Sequence, residues 1–92
     1  MTEQDHQRLD MWLYYTRLAK TRALCGQFIR KGRVRINGQH TTKAHAKIHL
    51  DDVLTFVSPH HPNDVCVWQV KKLGSRRGPA SEAMQLYETI PS

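Results

Sequence analysis

Between Met11 and Leu50 the sequence contains no aspartate and no glutamate. Cysteine is scarce as well. Cys25 and Cys66 cannot build a disulfide framework, and both sit among apolar neighbours, so reduced thiols are expected. No apolar run is long: Met11–Tyr15 reaches five residues, whereas a membrane-spanning helix needs about 20. The first ten residues lack the apolar core of a signal peptide, which predicts a cytoplasmic chain without membrane attachment. Six histidines are present, yet the best cluster, His60-His61 with Cys66, has no Cys-x-x-Cys or His-x-x-x-His spacing, so no metal and no cofactor are expected. There is no nucleophile–base–acid pattern, no glycine-rich phosphate loop, and no carboxylate pair within an apolar stretch. Enzyme chemistry therefore finds no support.

What the sequence does have is positive charge. Across 92 residues, 14 Lys and Arg stand against 8 Asp and Glu, for a net +6. Nine of those cations fall inside the acid-free window: Arg17, Lys20, Arg22, Arg30, Lys31, Arg33, Arg35, Lys43 and Lys47. Such a distribution sets a positive field over one side of a small domain and suits a polyanionic partner. The plainer alternative is a solvated basic surface kept for solubility.

The length allows one domain with a modest core. Residues Met1–Gln7 are polar, and fraying is expected there. From Arg8 to about Ala19, Leu9, Trp12, Leu13 and Leu18 fall near helical spacing. Thr21 suits the N-cap of a second helix over about Arg22–Lys31, with Cys25, Phe28 and Ile29 on its inner face. Gly32 follows where a helix stops in a left-handed residue. Arg33-Val34-Arg35-Ile36 then alternates as a half-buried strand does, and Asn37-Gly38 marks a type I′ hairpin returning through Gln39–Thr42. Lys43–Leu50 reads as a loop, Val53–Val57 as a strand, and Val65 to near Leu73 as another. A basic loop, Gly74–Pro79, precedes a short helix from Ser81 to about Tyr87, with Met84 and Tyr87 expected against the body. The order is that of an α+β fold.

Arg8-Leu9-Asp10 with Trp12-Leu13, Lys20-Thr21-Arg22, Gly32-Arg33-Val34-Arg35-Ile36-Asn37-Gly38, Lys43 and Asp52-Val53-Leu54 occur in order over about half the chain. This set resembles the alpha-L RNA-binding motif of small-subunit ribosomal protein four, many pseudouridine synthases and bacterial tyrosyl-tRNA synthetases. Trp12-Leu13-Tyr14 and the tail Arg76-Arg77-Gly78-Pro79-Ala80-Ser81-Glu82-Ala83, then Leu86-Tyr87-Glu88, are similar to the ribosome-associated heat-shock protein fifteen family. Asp51 stands where that family often has Gly, and Ala44-His45 replaces a Pro-Ser-like pair. The resemblance implies two helices on a small, mostly antiparallel sheet, with the domain over residues 8–73 and a basic loop and short helix over 74–92. It further implies a non-enzymatic stress-response protein that binds ribosomal RNA on the large ribosomal subunit, where stalled nascent chains on tRNA are recycled. A general RNA or DNA binder, or an accessory module for a separate enzyme, is the rival expectation. Nothing in the sequence requires a dimer, and a monomer is expected.

In the resembled fold the second helix and the hairpin present one surface to RNA. Arg33 and Arg35 share a strand face, since side chains two apart point the same way. Arg17 and Lys20 would end the first helix, Thr21 and Arg22 open the second, and Arg30 and Lys31 close it. Arg17, Lys20, Arg22, Arg33, Arg35 and Lys43 are the foremost RNA-binding candidates, followed by Arg8, Thr21, Arg30, Lys31 and Asn37. Each has a structural alternative. Arg8 and Arg22 could pair with Asp10, Arg30 and Lys31 could complement the helix dipole, Thr21 could act as a cap, and Asn37 could act as a turn residue. Arg76 and Arg77 could form a second phosphate patch or a solvated loop.

Overall fold

A computed structural model describes residues 5–91. Strand β1 (His6–Arg8) runs directly into helix α1 (Leu9–Tyr15), and helix α2 (Arg22–Arg30) follows. The hairpin is β2 (Val34–Ile36) and β3 (Gln39–Thr41); β4 (Lys47–His49), β5 (Val53–Val57) and β6 (Val65–Val70) come next. A single turn α3 (Ala80–Ala83), a 3₁₀ turn (Met84–Leu86) and β7 (Tyr87–Thr89) close the chain. Five strands form an antiparallel sheet in the order β3-β2-β5-β6-β7, and β1 pairs separately with β4. The expected α+β class holds.

Both helix ends are specified locally. The Thr21 Oγ1 accepts a hydrogen bond from the Leu24 amide at 3.1 Å and caps α2. At the far end Gly32 takes φ +75° and its amide donates to the Ile29 carbonyl, the C-terminal stop that glycine favours. Asn37 and Gly38 take φ +51° and +83°, as a type I′ turn requires.

The first helix is shorter than its apolar spacing predicts. It ends at Tyr15, because Arg17 adopts φ +65°, its amide donating to the Tyr14 carbonyl and the Leu18 amide to the Leu13 carbonyl. That is a Schellman stop with arginine where glycine is usual. Arg17 and Lys20 therefore lie in the connection between the helices rather than on the end of α1. Asp51 likewise takes φ +74°, a left-handed conformation that aspartate adopts more readily than most residues other than glycine.

Three further expectations are corrected. Residues 6–8 are strand rather than frayed chain: Gln7 is buried, and its side-chain amide exchanges two hydrogen bonds with the Gly74 backbone at 2.8 and 2.9 Å. Met1–Gln4 lie outside the described residues. The predicted loop at 43–50 contains β4, whose Ile48 is fully buried. The predicted helix to Tyr87 ends at Ala83. Tyr87–Thr89 instead adds a strand to β6, and Met84 is exposed rather than packed.

The core lies between the helices and the inner sheet face. Leu9, Trp12 and Leu13 of α1, Cys25 and Ile29 of α2, and Val34, Leu54, Phe56 and Val70 of the sheet meet there. Trp12 is fully buried, lies edge-on to Trp68 and Tyr87, and donates its indole N–H to the Lys72 carbonyl at 2.9 Å. Trp68 and Tyr87 stack at 3.7 Å. Burial pushes the Cys25 thiol up to about 11 and raises that of the half-buried Cys66.

Candidate nucleic-acid interface

Alternation along β2 puts Val34 and Ile36 inward and Arg35 outward, with Arg33 exposed just before the strand. Arg33, Arg35 and His40 line one shallow groove of about 380 Å³ over the outer sheet face. Lys31 and Arg33 line a second groove of about 340 Å³ against α2. Arg33 thus stands between the two, and Lys31, Arg33 and Arg35 form one continuous cationic edge. His40 is held there by an N–H donated from Nε2 to the Gly32 carbonyl at 2.7 Å.

A second group gathers at the opposite end of α2. The carboxylate of Asp10 is buried, and Arg8 grips it with two hydrogen bonds of 3.1 and 3.0 Å. Arg22, from the first turn of α2, reaches the same carboxylate at 3.4 Å. The Asp10 amide donates to the Ala44 carbonyl, which holds the loop bearing Lys43 against the start of α1. The nine residues of α2 separate these two cation groups by about 13 Å, at 1.5 Å per residue.

The eleven sequence candidates consequently differ in what their side chains are already doing. Lys20, Arg30, Lys31, Arg33, Arg35 and Lys43 are exposed, and among the described residues none pairs with a carboxylate. Arg8 and Arg22 are committed to Asp10, the pairing alternative, though each remains about half exposed. Arg17 is turned away toward the C-terminal loop and donates to the Gly78 carbonyl at 2.9 Å. The Thr21 hydroxyl is occupied as a cap. Asn37 Nδ2 donates to Asp52 at 3.0 Å while its Oδ1 accepts from the Val53 amide at 2.9 Å, so its side chain ties the turn to β5.

Arg77 lies 5.3 Å from the Tyr14 ring centroid, over its face, whereas Arg76 is paired with Glu82, so neither side chain of the basic loop is simply solvated. Lys47 faces Arg8 across the β1–β4 pair and was not among the candidates. Its place in the acid-free window was the available signal. Among the described residues no three His, Cys, Asp or Glu side chains gather as a metal site, and no helix is long and apolar enough to cross a membrane.

Residues 7–54, which carry both cation groups, match the S4 domain model. The chain belongs to the S4 domain family, and its domain is an RNA-binding one. More narrowly, it is homologous to heat shock protein 15. It is 42% identical to that protein from Escherichia coli (strain K12) over 81 residues, covering 88% of this chain, and equally similar to the protein of Escherichia coli O157:H7. The chain spans 58% of the length of these curated relatives. The trimeric structure of Vibrio cholerae Heat Shock Protein 15 superposes with a TM-score of 0.83 at 31% identity, covering 94% of this chain and 83% of that one.

Proposed function

We propose that this chain binds structured ribosomal RNA on the large ribosomal subunit and serves there, without catalysis, in the recycling or rescue of stalled nascent-chain complexes. Its setting would be the cytoplasm, and the tRNA on such subunits is the adjoining polyanion. The observation that carries the reading is the edge of Lys31, Arg33 and Arg35, exposed and paired with no acid among the described residues, in a chain homologous to heat shock protein 15.

The mechanism is phosphate clamping. Arg33 and Arg35 present planar forks to phosphate oxygens, Lys31 and Arg30 extend the edge, and Lys20 and Lys43 add point charges. Arg8 and Arg22 act with their charge partly neutralised by Asp10. Specificity then comes from RNA shape rather than base edges, because an A-form duplex hides its deep groove. The basic edge lies within one chain, so the reading needs only a monomer; the trimer belongs to the Vibrio structure.

Sedimentation of cell extract through a sucrose gradient at low salt tests the reading. The chain is expected with the large subunit, and a chain remaining at the top of the gradient refutes it. Replacing Arg33 and Arg35 together by Ala should release the chain. Its salt slope for RNA should become shallower by about 0.7–0.9 for each phosphate no longer neutralised, while stability stays within about 0.5 kcal/mol, as for exposed changes.

A further inference from the structure

The groove against α2 differs in character from the rest of the basic face. Its floor is apolar: Leu18 is buried, Phe28 is half-buried, and Leu24 is 45% exposed, one of few large apolar side chains left to solvent. Phe28 packs edge-on to Phe56 from below, at 6.2 Å and 87°, so its remaining surface belongs to the groove. Pro59 forms the facing wall, and the same connection is fixed where His60 Nε2 donates to the Leu18 carbonyl at 3.3 Å. Lys31 and Arg33 stand at the rim, and among the described residues no carboxylate lines the groove.

Apolar floor, cationic rim and continuity with the Arg33–Arg35 edge together suit one kind of occupant. We propose that this groove takes an unpaired nucleobase turned out of an RNA helix, with its phosphates held by Lys31 and Arg33. The base lies against Leu24 and Phe28, and Gln27, which also lines the groove, offers an amide able both to donate to and to accept from the base edge. The groove volume of about 340 Å³ sits at the small end of ligand sites, which run from about 300 to 1,000 Å³. An apolar protein side chain would also fill the floor, but it makes no use of the two rim cations. This inference rests on the RNA-binding reading and sharpens it: the preferred RNA is a helix interrupted by a bulge rather than a continuous duplex.

The test compares two RNAs with the full chain, a paired duplex and the same duplex carrying one unpaired 2-aminopurine. The bulged RNA should bind about 5- to 150-fold more tightly, the range that stacking one base supplies, and the probe's fluorescence should change on binding. Leu24→Ser, at an exposed position, should abolish most of that preference while leaving paired-duplex affinity and the circular dichroism spectrum unchanged. Arg33→Ala/Arg35→Ala should weaken both RNAs together. Equal wild-type affinity for the two RNAs overturns the groove proposal and leaves RNA binding standing, as does a preference that survives Leu24→Ser. Loss of subunit binding in Leu24→Ser without any bulge preference assigns the groove to a protein side chain and also overturns the proposal. Failure of the wild type to bind either RNA removes both readings.

Discussion

Asp10→Asn should lower stability without lowering RNA affinity, a divergence that follows from how the carboxylate is held. Three hydrogen bonds at 3.1, 3.0 and 3.4 Å join it to Arg8 and Arg22, and it lies in the first turn of α1, where negative charge is favoured. Breaking a wholly buried ion pair costs about 3–5 kcal/mol, and an exposed pair contributes only about 0–1 kcal/mol. Here the anion is buried while the two arginine side chains are 49% and 48% exposed. They regain water when released, and asparagine keeps one oxygen acceptor, so the loss falls between those limits at about 2 kcal/mol. For a domain of this size that is a drop of about 8–16 °C in Tm. Urea unfolding should show a lower midpoint with an unchanged m value. RNA titration should show equal or tighter binding and a steeper salt dependence, since two guanidinium groups lose their internal counterion. An unmoved midpoint together with weakened RNA binding would refute the reasoning. Asp10 would then be aiming the arginines at the ligand rather than restraining them.

The other predictions are shorter. Gly32→Ala should cost about 2 kcal/mol or more, because the position needs φ +75° and a Cβ there would stand 2.5 Å from His40 Nε2. Adding His40→Ala should recover part of the loss, and thermal melts of Gly32→Ala, His40→Ala and the double variant decide it. Arg17→Ala should destabilise by about 1–2 kcal/mol, losing the Gly78 hydrogen bond while keeping the left-handed backbone. Arg17→Gly should be closer to neutral, and both should leave RNA affinity within twofold; a larger loss of binding would put Arg17 on the interface. For Cys25 the folded thiol titrates near 11, above its unfolded value, so its contribution is intact below about pH 8.5. It is lost as pH rises toward 11, by about 2–3 kcal/mol. Cys25→Ala should flatten that alkaline decline in a series of urea melts, and an unchanged decline would place its cause elsewhere.

Much of this was legible in the sequence because it is encoded within a few residues. Thr21 caps the helix three residues before the amide it accepts from, Gly32 ends that helix, and Asn37-Gly38 folds the hairpin that exposes Arg33 and Arg35. What escaped is long-range. His6–Arg8 and Lys47–His49 are three-residue strands made mostly of polar side chains, and their pairing is fixed by partners about 40 residues apart, so periodicity alone carries no sign of it. Tyr87–Thr89 becomes strand because β6 offers an edge and Trp68 offers a stacking partner. The early end of α1 depends on arginine accepting a conformation that sequence reading reserves for glycine. On the basic face, the exposure of Arg33 and Arg35 followed from strand alternation, whereas the placement of Arg17 and Lys20 between the helices did not. Nor did the division of the cations into restrained and unrestrained groups, because that depends on where Asp10 and Gly78 lie in space.

The amide clasp between Gln7 and Gly74 bears on any attempt to transplant this domain. Residues 7–54 contain both cation groups, yet a graft limited to them would strip Trp12 of Trp68, Tyr87 and the Lys72 carbonyl, cut β5 after Leu54 and remove Phe56 from the core. The basic surface travels only with the distant stretch that clasps the fold shut, so a chimera built to borrow it must carry the chain at least through Ile90, whose amide donates to the Val67 carbonyl.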